Sequence, residues 1–437
     1  MKRRTLCALL ILCGVWAAPA AAQNRFIVRS DLGQQGLTQF CLLQGCTVVG
    51  GLDGTLGQLF LLTTPGTIDP TGFLLVLGNT LGIAAAEQDQ TVSLVGGQNW
   101  LTGVPWGLTD NSPVKYFGAT VWNGYAYQPA AQKVRVSDAQ STFHVAGTGI
   151  VADIDTGVDP NHPALQPVLL PGYDFTRNQP NGSEMTDFGS APMLGNSGNV
   201  ARVNQSSAAV LDQSSAAVLD GNAQYAAFGH GTMVMGIIHL VAPQAQLLPL
   251  KAFHSDGTGF LSDIVRAVYY AVQNKANIIN MSFDTTTASS ELSKALDYAN
   301  RNNVICVASA GNDGAQEIVY PSAMQNEVMG VASTDDLDNR STFSNFGNAI
   351  VWVAAPGEEI ITTYPFSSYA AGRGTSFSAP FVSGASALVL NLLPGANESQ
   401  AAAAVAHGVP VGAGMGNGRL DIVQALQSIP QGTVTVP

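Results

Sequence analysis

Residues 261–283 read LSDIVRAVYYAVQNKANIINMSF, and the change of period inside this stretch decides the fold class. In its first half Leu261, Ile264, Val265, Val268 and Val272 recur at three- and four-residue spacing, which sets them on one face of an amphipathic helix. From Asn277 onward the period is lost, and NIINMSF is the near-continuous apolar run of a strand buried on both faces. The same unit recurs on either side. Upstream, GIVADID at 149–155 is another apolar run; downstream, SKALDYANRN repeats the helix and VICVASAG repeats the strand. Such strands separated by helices predict an α/β domain on a mostly parallel sheet, whose reactive crevice lies at the carboxyl ends of the strands.

Ahead of this region the pattern differs. Between about 25 and 94 it runs strand (FIVR), helix (LTQFCLLQG), two strands (CTVVGG and GQLFLLTT), helix (GFLLVLGNTLG) and a last strand (TVSLV), a small β-α-β-β-α-β unit. The expected division is therefore a front α+β domain at 23–97, a turn-rich linker with a processing site at 98–120, a large domain at 121–428 and a tail at 429–437. Inside the large domain QSSAAVLD at 205–212 recurs unbroken at 213–220. Two copies of eight residues are too short for a solenoid and read as a duplicated surface loop.

The chain has 437 residues, 46% of them hydrophobic and only 11% charged, so it can bury a large core and is no disordered segment. Its 18 basic and 30 acidic residues give a net charge of -12, which excludes the basic patch that nucleic-acid or anionic-membrane binding requires. Residues 1–22 join MKRR, an apolar run from Thr5 to Ala18 and the small residues Ala20-Ala21-Ala22, the layout of a secretory signal cut before Gln23. That run is shorter than the roughly 20 residues a spanning helix needs, and Pro380 interrupts the later one, so no membrane span is predicted. The mature chain is expected to be exported, to the periplasm or the medium. Of the five cysteines, Cys7 and Cys13 would leave with the signal. Cys41 and Cys46 lie close enough to form a disulfide, and Cys306, inside an apolar run, reads as a buried thiol. No zinc-type Cys/His spacing occurs.

Three segments carry chemistry. In VADIDTGVD an apolar strand ends in Asp155; in FGHGTMVMGII His230 opens an apolar helix between two glycines; in GRGTSFSAPFVSG Ser376 begins a long small-residue helix after a glycine-rich turn. Each has an ordinary explanation when read alone, since Asp, His and Ser all serve as caps and turn formers. Pro380 is read as falling in the first turn of its helix, where proline is tolerated. A helix start suits a nucleophile, because its backbone N–H groups are unpaired and the macrodipole favours a developing oxyanion. In order, the three supply an orienting carboxylate, a general base and a nucleophile.

With DTG, GHGT and GTSFSAP, the chain resembles the subtilisin-like serine peptidases, the subtilases, from about Val121 to Leu426. That resemblance implies a doubly wound, mostly parallel sheet and peptide-bond hydrolysis by Asp155, His230 and Ser376, with protein or peptide substrates and no cofactor. It also implies that Asn312 in ASAGND is the oxyanion-hole amide, and that Ser282, Phe283, Asp284, Gly311 and Asp313 border the substrate. The family's glycine after INMSF is Asp284 here, and its HGTHVAG appears as HGTMVMG. Asp284 and Asp313 would favour Lys or Arg before the scissile bond; as two solvated turn aspartates they would leave a pocket for Leu or Phe. Calcium is common in the family, yet no loop here shows its ligand spacing. The front domain resembles the propeptide that helps such enzymes fold and inhibits them in cis, and a monomer is expected. The reading from another class is a catalytically inactive binding protein on the same scaffold.

Overall fold

The computed structural model describes residues 23–94, 105–188, 209–210 and 225–430. The signal-like segment, the middle of the linker, the duplicated octapeptide except Ala209–Val210, and the end of the tail lie outside them. The chain forms two compact units, 23–50 with 58–88, and 51–57 with the described residues from Asp89 onward.

The first unit is a four-stranded sheet in the order Thr47–Gly51, Leu59–Pro65, Gln23–Ser30, Ile83–Gln88, with helices Gly33–Gln44 and Pro70–Gly78. The first strand is central and runs antiparallel to two neighbours, with Phe26 opposite both Leu62 and Gln88. Phe26, Val28, Leu37, Phe60, Leu62, Phe73 and Leu77 make its core. A disulfide joins Cys41, in the last turn of the first helix, to Cys46 just beyond it, whereas Cys306 is buried and free. Asp69 caps the second helix by accepting from the N–H groups of Thr71 and Gly72, with Pro70 at the first helical position.

One strand departs from the sequence reading. The fourth strand of this sheet is IAAAEQ at Ile83–Gln88, and the front unit ends there rather than at Gly97. TVSLV contributes Thr91–Ser93 to the second unit, antiparallel to Thr258–Phe260. Alanine-rich IAAAEQ carries little β propensity, and alternation in TVSLV says that it is a strand without saying which partner it takes.

The second unit holds an eight-stranded sheet. Its order is Gln179–Pro180, Tyr173–Asp174, Gln246–Lys251, Ile150–Asp155, Ile278–Met281, Ile305–Ser309, Met329–Thr334, Val353–Pro356, and every pairing but the outermost short one is parallel. The chain leaves Ile150–Asp155 to build first one side and then the other, so this strand stands at the topological switch where α/β folds place their sites. Two helices, His230–Val241 and Thr375–Leu392, are buried almost along their whole length. They approach closely because the second is rich in Ser, Ala and Gly: a Cβ on Gly384 would stand 2.6 Å from Val241 Cβ. Helix Leu261–Gln273 buries Leu261, Ile264, Val265 and Val268, with Val272 half-buried at its edge.

Pro380 is the sixth residue of its helix, not a member of the first turn. Its missing N–H frees the carbonyl of Ser376 four residues earlier. The hydroxyl of Ser282 donates to that carbonyl at 2.9 Å. The break in the helix ladder is thereby closed by the strand end beneath it.

Candidate active site

Asp155 is the last residue of the central strand and is fully buried. Burying a carboxylate costs free energy unless it is paired, and here both oxygens lie 2.8 Å from Nδ1 of His230, while Oδ1 also accepts the N–H of Thr156 at 2.6 Å. His230 is the first residue of its helix. Gly229 before it adopts φ +89°, a left-handed conformation that disfavours side chains. Gly231 after it packs so tightly that a Cβ would stand 2.1 Å from the carbonyl oxygen of Gly157. Burial alone disfavours the imidazolium; the charge and hydrogen bond of Asp155, with the charge of Glu184, outweigh it and hold His230 above its ordinary value.

Ser376 is the second residue of its helix, 8% exposed. Its hydroxyl donates to the carbonyl of Ser282 at 3.0 Å, and among the described residues no hydrogen bond joins it to His230. The ring of the next residue, Phe377, lies 5.7 Å from the imidazole, centre to centre, so the two helix starts face each other. Asn312 follows the end of strand Ile305–Ser309. Its Oδ1 accepts from the backbone N–H of Thr375 at 2.8 Å and from the Thr375 hydroxyl at 3.1 Å, which turns Nδ2 away as the free donor. Gly311 donates its N–H to the same hydroxyl at 3.2 Å.

Beside these residues runs a groove wall made of backbone. Ser93 pairs with Thr258 on one side and bridges antiparallel to Asp284 on the other, and Leu94 donates its N–H to Gly257 at 2.8 Å. Thr91–Leu94 is thus the middle strand between two edges of the second unit, with Val92 buried. Asp89 anchors the segment by accepting from the N–H and hydroxyl of Ser262, at 2.8 and 2.7 Å. Asp284 is half-buried, and burial followed by the charges of Asp313 and Glu317 pushes its carboxyl up to about 7. It is therefore no fully solvated turn aspartate. Asp313 is exposed, and its carboxylate accepts from Asn345 at 3.2 Å. Phe283 turns its ring into the core against Phe253, leaving only its backbone near the groove.

Under the strand ends lies a set of buried groups that no motif pointed to. Glu184 accepts from Gly229 N–H at 2.7 Å, from Thr156 Oγ1 at 3.0 Å and from Thr232 Oγ1. Lys251, fully buried beside Asp155 in the parallel register, donates to the carbonyls of Thr156 and Phe253 and to Asp187. One oxygen of Asp153 accepts from Asn280 at 2.9 Å and the other has no partner among the described residues, and burial with the charges of Asp155 and Glu184 raises its carboxyl well above the usual range. The only sequence signal for these groups is that they interrupt apolar runs or sit in short turns.

A sequence model of the Subtilase family matches residues 147–420. The chain belongs to the subtilase family. This subtilase is 32% identical over 314 residues to thermitase from Thermoactinomyces vulgaris, covering 69% of this chain and 96% of that one. It is 29% identical over 316 residues to a thermophilic serine proteinase of a Bacillus species, covering 72% of this chain and 68% of the other. Among solved structures it is similar in fold to a lanthipeptide protease, with a TM-score of 0.54 at 23% identity, over 69% of this chain and 94% of that one. The subtilase is a serine-type endopeptidase acting on protein or peptide substrates.

Among the described residues no group of three or more His, Cys, Asp or Glu side chains gathers as a metal site. Asp335 of the DDLDN turn already accepts from the N–H groups of Leu337 and Asn339 and from the Asn339 amide. Also among the described residues, no helix is long and apolar enough to cross a membrane.

Proposed function

We propose that this subtilase is an exported, self-processing endopeptidase, with Ser376 as nucleophile, His230 as general base, Asp155 as its orienting carboxylate and Asn312 as oxyanion donor. The observation that carries the reading is the Asp155 carboxylate on Nδ1 of His230 at the carboxyl end of the parallel sheet, across from the start of the Ser376 helix. With Nδ1 so held, Nε2 is left to take a proton. A rotation about Cα–Cβ carries the Ser376 hydroxyl from the Ser282 carbonyl to Nε2. The Ser376 oxygen then attacks the substrate carbonyl carbon, and the oxyanion accepts from Asn312 Nδ2 and the Ser376 backbone N–H. His230 gives its proton to the departing amine, and water repeats the path to release the acyl group.

The chain's own segment supports both substrate alignment and the place of self-processing. Ser93 opposite Asp284 sets an antiparallel register. The carbonyl of Ser282, two residues before Asp284, holds the Ser376 hydroxyl, so a chain continued in this register runs toward the nucleophile. The bond to be cut therefore follows this segment closely, near the start of the linker to which composition points. Asp284, held at about 7, is a poor attractor for a cation at neutral pH. Export rests on the signal-like residues 1–22.

The test is expression of the full chain beside Ser376→Ala, with intact mass, N-terminal sequencing and labelling by a serine-reactive phosphonate. The reading expects a new N-terminus in the stretch just after Leu94 in the parent only, and label on Ser376. An unprocessed, unlabelled parent supports the inactive scaffold instead; a processed parent whose N-terminus lies far from that stretch refutes the register.

A further inference from the structure

Glu184 stands outside every motif, yet it is a buried group hydrogen-bonded to residues that flank both halves of the acid–base pair. It is fully buried in the stretch after Gly182-Ser183, and its backbone is tied to the turn beyond Asp155 by Glu184 N–H to Val158 O at 3.1 Å. Its Oε2 accepts from Thr156, the residue after Asp155, and from Gly229, the residue before His230. Its Oε1 accepts from Thr232, two residues past His230. Thr156 in turn accepts the N–H of Gly231 at 3.0 Å, so the carboxylate and one hydroxyl lace the end of the Asp155 strand to the first turn of the His230 helix. A helix start has unpaired N–H groups and favours negative charge, and here the cap is supplied by a residue 45 positions upstream of Gly229.

We infer that Glu184 is a positioning residue for catalysis: it holds His230 square to Asp155 and adds negative charge behind the imidazole. The inference rests on the proposed roles of Asp155, His230 and Ser376. A carboxylate in this place must be balanced. The charged and titratable groups around it are Lys251 from the neighbouring strand, Asp155 and Asp153 from the central strand, and His230 from the helix. Lys251 is fully buried and donates to the Thr156 carbonyl, so it supplies the counter-charge at the same strand end. Burial raises the Glu184 carboxyl, the three donors and Lys251 pull it back, and it comes to about 7. The Glu184 charge, where present, raises the imidazole.

The experiment compares the full-length parent with Glu184→Gln and Glu184→Asp, using a soluble peptide substrate and phosphonate labelling to count active sites. Glutamine keeps the size and removes the charge; aspartate keeps the charge and is one methylene too short to reach all three donors. The inference expects kcat per labelled site to fall at least about tenfold in both, with KM within about twofold, because the loss is in the transition state. It expects the acid limb of kcat/KM to move to lower pH in Glu184→Gln and to stay near the parent in Glu184→Asp. Parent-like kcat and an unmoved acid limb in Glu184→Gln, with or without a loss of stability, would overturn it and leave the triad roles standing. A parent that takes no label sinks both.

Discussion

Replacing Ser282 by alanine should destabilise the molecule through a carbonyl that belongs to another residue. The helix Thr375–Leu392 has Pro380 at its sixth position, so the carbonyl of Ser376 has no helical donor and takes the hydroxyl of Ser282 at 2.9 Å. The same hydroxyl accepts from Asn280 at 3.0 Å, and Asn280 reaches Asp153 and accepts from Ser383. Removing the hydroxyl leaves a buried carbonyl unsatisfied, which costs about 1–3 kcal/mol. With an urea slope of about 3 kcal/mol/M, the unfolding midpoint falls by about 0.3–1 M. The partner variant is Pro380→Ala, which gives the helix an N–H aimed at the orphaned carbonyl. In that background Ser282→Ala should cost less, by about 1 kcal/mol of coupling, since the helix now closes its own ladder. The assay is urea unfolding by fluorescence in a Ser376→Ala background, which keeps the carbonyl and removes self-digestion. Equal costs for Ser282→Ala with proline or alanine at 380 would refute the argument.

Asn312→Ala should lower kcat by about 10²–10³ with KM little changed, the effect the handling of an oxyanion by one amide has in a related subtilisin; Asn312→Asp, which keeps the Thr375 hydrogen bonds, should lose at least as much, and a small effect in both would remove Asn312 from the mechanism. Asp155 holds His230 above its ordinary value, and the proposed mechanism needs the neutral imidazole, so activity should be lost as pH falls through that raised value, and Asp155→Asn should move the acid limb of kcat/KM downward while lowering kcat. An acid limb that ignores Asp155→Asn would contradict the pairing. Asp284 keeps its proton to about 7 in the folded chain and to its ordinary value of 3.8 when unfolded, so its contribution to stability falls as pH rises between them. Asp284→Asn should therefore raise the urea midpoint at pH 8 relative to the parent and change little at pH 4; an equal change at both would rule out titration as the cause.

The alternation of apolar strands and helices was readable because a parallel sheet buries both faces, and continuous apolar runs such as VICVAS have few other uses. The DTG, GHGT and GTSFSAP segments were readable because the proposed chemistry calls for those side chains beside glycines that allow close approach, as Gly231 against Gly157 illustrates. Local signals failed where the partner was remote. TVSLV is a strand by its alternation, but its neighbours lie more than 160 residues away at Thr258 and Asp284. Proline at 380 looked like a first-turn residue, because helix starts are not fixed by propensity to within a few positions.

From sequence alone come the α/β class, the kinds of side chain that could perform acyl transfer, and the family. Tertiary structure decided which carboxylates have company. Asp155, Glu184 and Asp153 are all buried acids within or near short polar interruptions of apolar sequence, yet one sits on an imidazole, one on three donors and one has a bare oxygen. The physical reason is that a charge's cost and its reach are set by what surrounds it in space, at distances of a few ångströms, while the sequence orders residues only along the chain.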